Sequence, residues 1–127
     1  MKKIQGICKN VIEATEWVVV ASVGENGPHV VGTWGEYLVA LGIQDNEIRI
    51  PVGGYLETER NLEHNPYLEI LCASRKVQGE HGPGKGCRIR GTGRIRTTGD
   101  QAAAVRGKFP WARGVLVITV EEVTEML

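Results

Sequence analysis

The sequence has few cysteines and no long hydrophobic run. Its three cysteines, Cys8, Cys72 and Cys87, include no C-x-x-C pair, which argues against a disulfide framework and a zinc site and predicts free buried thiols. The longest apolar runs, at residues 17–21 and 115–120, are too short to cross a bilayer. Lys2 and Lys3 are not followed by the apolar core of a signal peptide, so we expect a cytoplasmic protein.

No sign of charge predominates either. Fifteen basic and fifteen acidic residues give a net charge of zero, so no overall field attracts the chain to nucleic acid or to an anionic membrane. Neither partner is predicted. Recognition must therefore depend on local sites.

Glycine, by contrast, is abundant, with 17 residues, and the glycines separate segments with strand-like patterns. A length of 127 residues suits one domain, spanning 1–127. About six strands and three short helices without a βαβ rhythm predict a mainly β fold, an antiparallel barrel with peripheral helices. Strand-like patterns occupy seven segments, of which about six are expected to form the barrel: residues 17–23, 29–34, 37–41, 47–52, 67–74, 87–98 and 114–120. The predicted helices are residues 1–16, 55–65 and 100–109, the last with Asp100 as N-cap.

Residues 87–98 alternate most clearly. Cysteine, isoleucine and glycine face one way, and Arg88, Arg90, Arg94 and Arg96 face the other. The arginine row has no interleaved aromatic residues for stacking bases, so a solvated face is favoured over an RNA site. Its expected acidic partners are Glu121, Glu122 and Glu125.

The sequence motifs do not support a nucleotide-phosphate loop, a metal site or a catalytic nucleophile. Residues 79–85 match the spacing of a phosphate-binding P-loop, but Gly86 replaces the required Ser or Thr and a strand follows instead of a helix. That segment is interpreted as a connection whose Lys85, with Arg75 and Lys76, could form a basic rim. The three histidines lack ligand spacing, so no metal site is predicted, and no catalytic nucleophile is recognisable.

One cluster of small, aromatic and hydroxyl residues remains, at two predicted strand ends and the helix after the second. Glycines let backbone groups approach a flat ring, and a helix N-terminus with hydroxyls suits a phosphate. From the residues alone the pattern is only suggestive. Its members are Gly32, Thr33, Trp34, Gly35, Pro51, Val52, Gly53, Gly54, Thr58 and Asn61.

At these residues the chain resembles the small FMN-binding proteins of sulfate-reducing bacteria. These proteins belong to the pyridoxamine 5'-phosphate oxidase-like split-barrel superfamily. The resemblance runs nearly end to end, with specific blocks at residues 27–29, 51–54, 74–77, 82–84 and 111–120. It implies a six-stranded Greek-key split β-barrel, and a homodimer with one FMN per subunit.

The resemblance also implies roles for individual residues. Thr33 would hydrogen-bond the cofactor, Trp34 would pack near it, residues 51–54 would border the ring and Thr58 would contact the phosphate. Trp111 and Leu127 would reach the flavin of the other subunit.

The chain departs from the family at Glu57, where a lysine usually precedes the phosphate-binding threonine. A carboxylate facing a phosphate is repulsive by roughly 1 kcal/mol at surface dielectric. We expect Glu57 to face solvent or to pair with Arg60. The hypothesis is weaker FMN binding, or a substitute cation such as Arg60, Arg75 or Lys76.

Three functions are compatible with the sequence. The first is an electron-transfer flavoprotein that exchanges electrons with a cytochrome or another carrier protein. The second is a small flavin-dependent oxidoreductase, for example a reductase using NAD(P)H, and the third is a flavin storage or sensing module. Oxidation of pyridoxamine phosphate is not expected, because 127 residues leave no room for the extra segments that hold pyridoxal phosphate.

Overall fold

A computed structural model of the chain describes residues 2–127, which contain four helices and six strands. Their order along the chain is α1 (Ile7–Ala14), β1 (Trp17–Gly24), β2 (Gly27–Trp34), α2 (Gly35–Leu41), β3 (Glu47–Val52), α3 (Leu56–His64), β4 (Tyr67–Gln78), β5 (Pro83–Arg96), α4 (Asp100–Lys108) and β6 (Gly114–Met126).

The six strands form one antiparallel sheet in the order β2-β1-β4-β5-β6-β3. The sheet curls around a main core to which all six strands contribute, and a second, smaller cluster joins α2, α4 and β6. The edge strands β2 and β3 are not paired with each other, so the barrel is open between them. The predicted mainly β split barrel is confirmed.

The alternation of strand β5 sets its two faces. Cys87 and Ile89 are fully buried, while the arginines of the opposite face are partly or fully exposed. Arg90 Nε lies 3.2 Å from Oε1 of Glu69, and Arg90 Nη1 lies 3.5 Å from Oε1 of Glu122. The predicted solvated face is therefore confirmed, with Glu122 as an expected partner. Glu69 of β4 was not expected, and Glu125 pairs with Lys85 instead of the arginine row.

One predicted strand is wrong, because residues 37–41 lie in helix α2. The run Tyr-Leu-Val-Ala-Leu is apolar and short, so its period cannot separate a strand from a helix. Leu38 and Leu41 are buried three residues apart, as on a helix face. At the helix start, a Cβ on Gly35 would overlap the carbonyl oxygen of Thr15, so glycine permits this close approach.

Other boundaries also shift. Strands β4 and β6 continue past their predicted ends, and β5 begins before its predicted start and ends two residues before its predicted end. The added segments pair with one another although they are mostly polar and carry only isolated apolar residues. Helix α1 is shorter than the predicted 1–16, and α3 is one residue shorter at each end. Asp100 is the first residue of α4 and not its N-cap, a position that Gly99 holds.

Helix α1 packs on strands β4 and β5 and brings three thiols together in the core. Cys8, Cys72 and Cys87 are free and buried, as expected, and the Sγ atoms of Cys8 and Cys87 lie 2.6 Å apart. Burial raises the pKa of the Cys72 thiol to about 12. No helix within residues 2–127 is long and apolar enough to span a membrane.

Candidate functional site

The two edge strands end at one side of the open barrel, where Tyr55 joins them. The Tyr55 hydroxyl donates a 2.8 Å hydrogen bond to the carbonyl of Gly32 at the end of β2. Tyr55 itself follows Gly53 and Gly54, which form a bend directly after β3. These contacts define the cradle, which comprises residues 32–34, 51–54 and the first turn of α3.

Tyr55 adopts an unusual backbone conformation at the start of α3. Its φ of 65° is left-handed, a region that costs a residue with a side chain about 1–2 kcal/mol. Burial raises the pKa of its hydroxyl, against the effect of a side-chain hydrogen bond with Thr33. Tyr55 is therefore a neutral donor that holds the end of β2 against α3.

Arg113 fixes the glycine pair from the other direction. Its Nε donates to the carbonyl of Gly54 at 2.9 Å, and its Nη2 lies 2.8 Å from Oε1 of Glu59 on α3. The backbone N–H of Arg113 donates to Val52 at 2.9 Å. One arginine thus ties β3, the glycine pair and α3 together.

Aromatic rings border the cradle. Trp34 is 43% exposed and lies edge-on to Trp17, with ring centroids 4.9 Å apart. Gly32 must lack a side chain because a Cβ there would overlap the Trp17 ring. Trp111, 50% exposed, lies so close to Gly53 that a Cβ there would be 3.3 Å from its Cε3 atom.

The first turn of α3 carries an unsatisfied polar group. Thr58 is fully buried, and its Oγ1 has no hydrogen-bond partner among residues 2–127. Native proteins rarely leave a buried hydroxyl unpaired, so such a group indicates a ligand or a solvent molecule. The α3 N-terminus adds the positive end of the helix dipole. The residues present therefore fit a flat ring that bears an anionic group.

Glu57, beside Thr58, is 54% exposed, and its carboxylate contacts Nδ1 of His29 on β2. Its partner is thus His29 and not Arg60. Arg60 and Glu57 line the same cavity of about 540 Å³. Arg75 is not near this turn in sequence or in contacts, since it packs on Gly84 at the β4–β5 connection. Lys85 is buried and pairs with Glu125 at 3.3 Å, so it forms no open rim.

The remaining predicted site residues lie in different surroundings. Gly35 is buried against Thr15 in a structural contact. The Asn61 Nδ2 donates to Ser22 Oγ at 3.1 Å, which ties α3 to β1. Leu127 accepts a 2.8 Å hydrogen bond from Glu80 N–H at the β4–β5 connection. A contribution of Leu127 or Trp111 to a second subunit stays a prediction.

Sequence reasoning did not assign Tyr55, Arg113 or His29 to the site. Each acts through a contact with a distant part of the chain, at Gly32, Gly54 and Glu57 respectively. The only local signal was Tyr55 directly after two glycines, at a point where a sharp turn into a helix requires a special conformation.

Together, the fold and the cradle define a class of protein: a small split barrel whose open edge carries residues that fit a flat aromatic ligand. Within that class, the chain belongs to the family described as Pyridoxamine 5'-phosphate oxidase, whose sequence profile matches residues 5–127. The resemblance stated from the sequence is thereby confirmed.

A named relative supports this family assignment. The chain is 44% identical over 110 residues to a protein of Nitratidesulfovibrio vulgaris (strain Miyazaki F) named FMN-binding protein, covering 87% of this chain and 88% of the relative.

Solved structures agree on the fold. A variant of HupZ from Group A Streptococcus has a TM-score of 0.74 at 22% identity, covering 97% of this chain and 99% of the other. An FMN-binding protein of Syntrophomonas wolfei has a TM-score of 0.62 at 14% identity, covering 95% and 81%.

Proposed function

We propose that this protein is an FMN-binding flavoprotein in which the cradle holds the cofactor. The name of the Nitratidesulfovibrio relative and the family assignment support FMN as the ligand. When bound, FMN supplies one- and two-electron redox chemistry. The residues that would hold it are those of the cradle, with Trp34 and Trp111 at its borders.

The observation that carries this proposal is the buried, unpaired hydroxyl of Thr58. It lies in the first turn of a nine-residue helix, where backbone N–H groups and the helix dipole favour an anion. A phosphate oxygen would give Thr58 the hydrogen-bond partner that it lacks. The glycine pair and the tryptophans then supply a surface for the ring.

A titration of apoprotein tests the proposal. Added FMN should lose its fluorescence as it binds, with a stoichiometry of one FMN per chain, and protein purified without added flavin should be yellow. A colourless protein that leaves the fluorescence of added FMN unchanged would contradict the proposal.

We further propose that the protein is a homodimer that associates through the outer face of strands β2, β1 and β4. The strand register places large exposed apolar side chains together on this face, and such a patch on a soluble protein indicates an interface. A net charge of zero adds no repulsion between two copies. The side chains are Trp17, Val23, Val30, Trp34 and Leu71, which are 42–58% exposed.

Light scattering tests the dimer. Wild type should have twice the mass of one chain, and Val30→Glu should be monomeric because the charge would enter the apolar patch. Val39→Glu, on the exposed side of α2, is the matched control and should remain dimeric. A monomeric wild type contradicts the proposal.

For the redox role, we propose electron transfer to and from another protein, such as a cytochrome. Trp111 lies against Gly53 and packs on the rings of Tyr37 and Phe109. Arg113, next to this group, is engaged by Gly54 and Glu59. Electron transfer needs no acid or base from the protein. Anaerobic stopped-flow tests this role: fast reduction by a carrier protein and not by NAD(P)H supports it, and fast reduction by NAD(P)H favours a reductase.

A further inference from the structure

We infer that the Glu57 carboxylate mimics the phosphate of the ligand. It contacts the His29 imidazole in the free protein and is displaced from it when FMN binds. This inference rests on the proposed function, because it concerns the phosphate end of the same site. It makes Glu57 a residue that tunes affinity for phosphorylated flavin.

The position of Glu57 supports this role. It lies in the first turn of α3, directly before the unpaired Thr58, and its carboxylate contacts the imidazole of His29 on edge strand β2. An acidic side chain in the first turn is stabilised by the helix dipole. The carboxylate thus uses two attractions, the imidazole and the helix N-terminus, that a phosphate would also use.

Glu57 is also free to move, unlike the second acidic residue of the same turn. Glu59 lies 2.8 Å from Arg113, which also holds Gly54. The Glu57 side chain is 54% exposed, whereas that of Glu59 is 26% exposed. A phosphate can therefore displace Glu57 without disturbing the contacts that shape the cradle.

The neighbouring cavity gives the displaced carboxylate a second cation. This cavity, of about 540 Å³, is lined by Glu57 and by the charged or titratable side chains of Glu25, Arg60 and His64. Arg60 follows Glu57 by three residues on α3, a spacing at which oppositely charged side chains meet. On FMN binding, Glu57 exchanges His29 for Arg60, and His29 then faces the phosphate.

Comparing FMN with riboflavin, which lacks the phosphate, isolates the influence of Glu57 on phosphate binding. Dissociation constants are measured by quenching of flavin fluorescence for wild type, Glu57→Gln, Arg60→Gln and the double variant. Glu57→Gln should bind FMN about fivefold more tightly and bind riboflavin as wild type does. Arg60→Gln should weaken FMN binding in the wild-type background and have no effect in the Glu57→Gln background.

Glu63→Gln is the matched control, because it makes the same charge change at an exposed position of the same helix without facing the cavity of Glu57. Equal tightening by Glu63→Gln and Glu57→Gln would overturn the inference in favour of a general charge effect. Equal changes for FMN and riboflavin would overturn it as well. Binding of neither flavin by any variant would instead overturn the proposed function.

Discussion

The closed side of the barrel and its open edge follow opposite rules. On the closed side, strands β4, β5 and β6 pair over long stretches. One isoleucine of each strand, Ile70, Ile89 and Ile118 respectively, is fully buried. At the open edge, the Thr58 hydroxyl has no hydrogen-bond partner among residues 2–127, and Tyr55 has a left-handed backbone. Violations of local rules concentrate where function is expected. The comparison indicates that one side maintains the fold and the other is shaped for a ligand.

The largest expected effect is on the closed side. Ile89→Ala should lower the free energy of unfolding of the apoprotein by about 2–5 kcal/mol, because it removes buried methylene groups and leaves a cavity. Urea denaturation measures this loss. Val39→Ala, at a residue 44% exposed on α2, is the control and should change the free energy by less than about 0.5 kcal/mol. Equal losses in the two variants would break the comparison.

The closed side is also the part that the sequence predicts best. Alternation in residues 87–95 correctly assigned the buried and exposed faces of β5, because a strand with one wet face repeats every two residues. The Asn26-Gly27 pair between the predicted strands 17–23 and 29–34 is a hairpin turn signal, and β1 and β2 do pair as a hairpin. Both are local signals, complete within a few residues.

The open edge was predicted less well, because its contacts join distant parts of the chain. The glycine pair, Thr33 and Thr58 were recognised through the family resemblance. The partners that fix them were not, since Arg113 reaches Gly54 across 59 positions and Tyr55 reaches Gly32 across 23. Helix α2 was mistaken for a strand because a five-residue apolar run has no decisive period.

A second prediction concerns pH and the thiols of the closed side. The folded pKa of Cys72 is about 12, whereas an unfolded thiol ionises near pH 8.5, at about the usual value. Between these values the unfolded chain has released the proton and the folded chain retains it. Stability is therefore fully present below about pH 8.5 and should fall by about 1.4 kcal/mol per pH unit above it for each such thiol.

Urea denaturation at pH 8 and pH 10 checks this slope. Cys72→Ala should be less stable at pH 8 but should lose less stability between the two pH values than wild type. The other groups that titrate in alkali are the same in both proteins, so their effects cancel in the difference. Equal losses would mean that Cys72 does not ionise on unfolding in this range.

A third prediction separates binding from folding at the open edge. Thr58→Val removes a hydroxyl for which residues 2–127 offer no hydrogen-bond partner, so the free energy of unfolding of the apoprotein should stay equal or rise. The binding free energy of FMN should weaken by about 1.5–3 kcal/mol, the value of a hydrogen bond to a charged group. Denaturation and flavin titration measure the two quantities. Thr119→Val, at an exposed position of β6, should alter neither, and a destabilised Thr58→Val would show that the hydroxyl serves the fold.

The smallest expected effect tests the contact that joins the two halves of the cradle. Tyr55→Phe removes the hydroxyl that donates to Gly32 and should lower the free energy of unfolding by about 1 kcal/mol. Because the lost bond lies at the open edge, hydrogen exchange should speed up at the end of β2 and remain unchanged in β5. Tyr67→Phe also removes a tyrosine hydroxyl that hydrogen-bonds, to Glu69, but does so on β4 away from the cradle. It is the matched control and should leave exchange at the end of β2 unchanged. Faster exchange throughout the sheet would mean that the open edge and the closed side unfold as one unit, and the division drawn between them would then describe geometry and not stability.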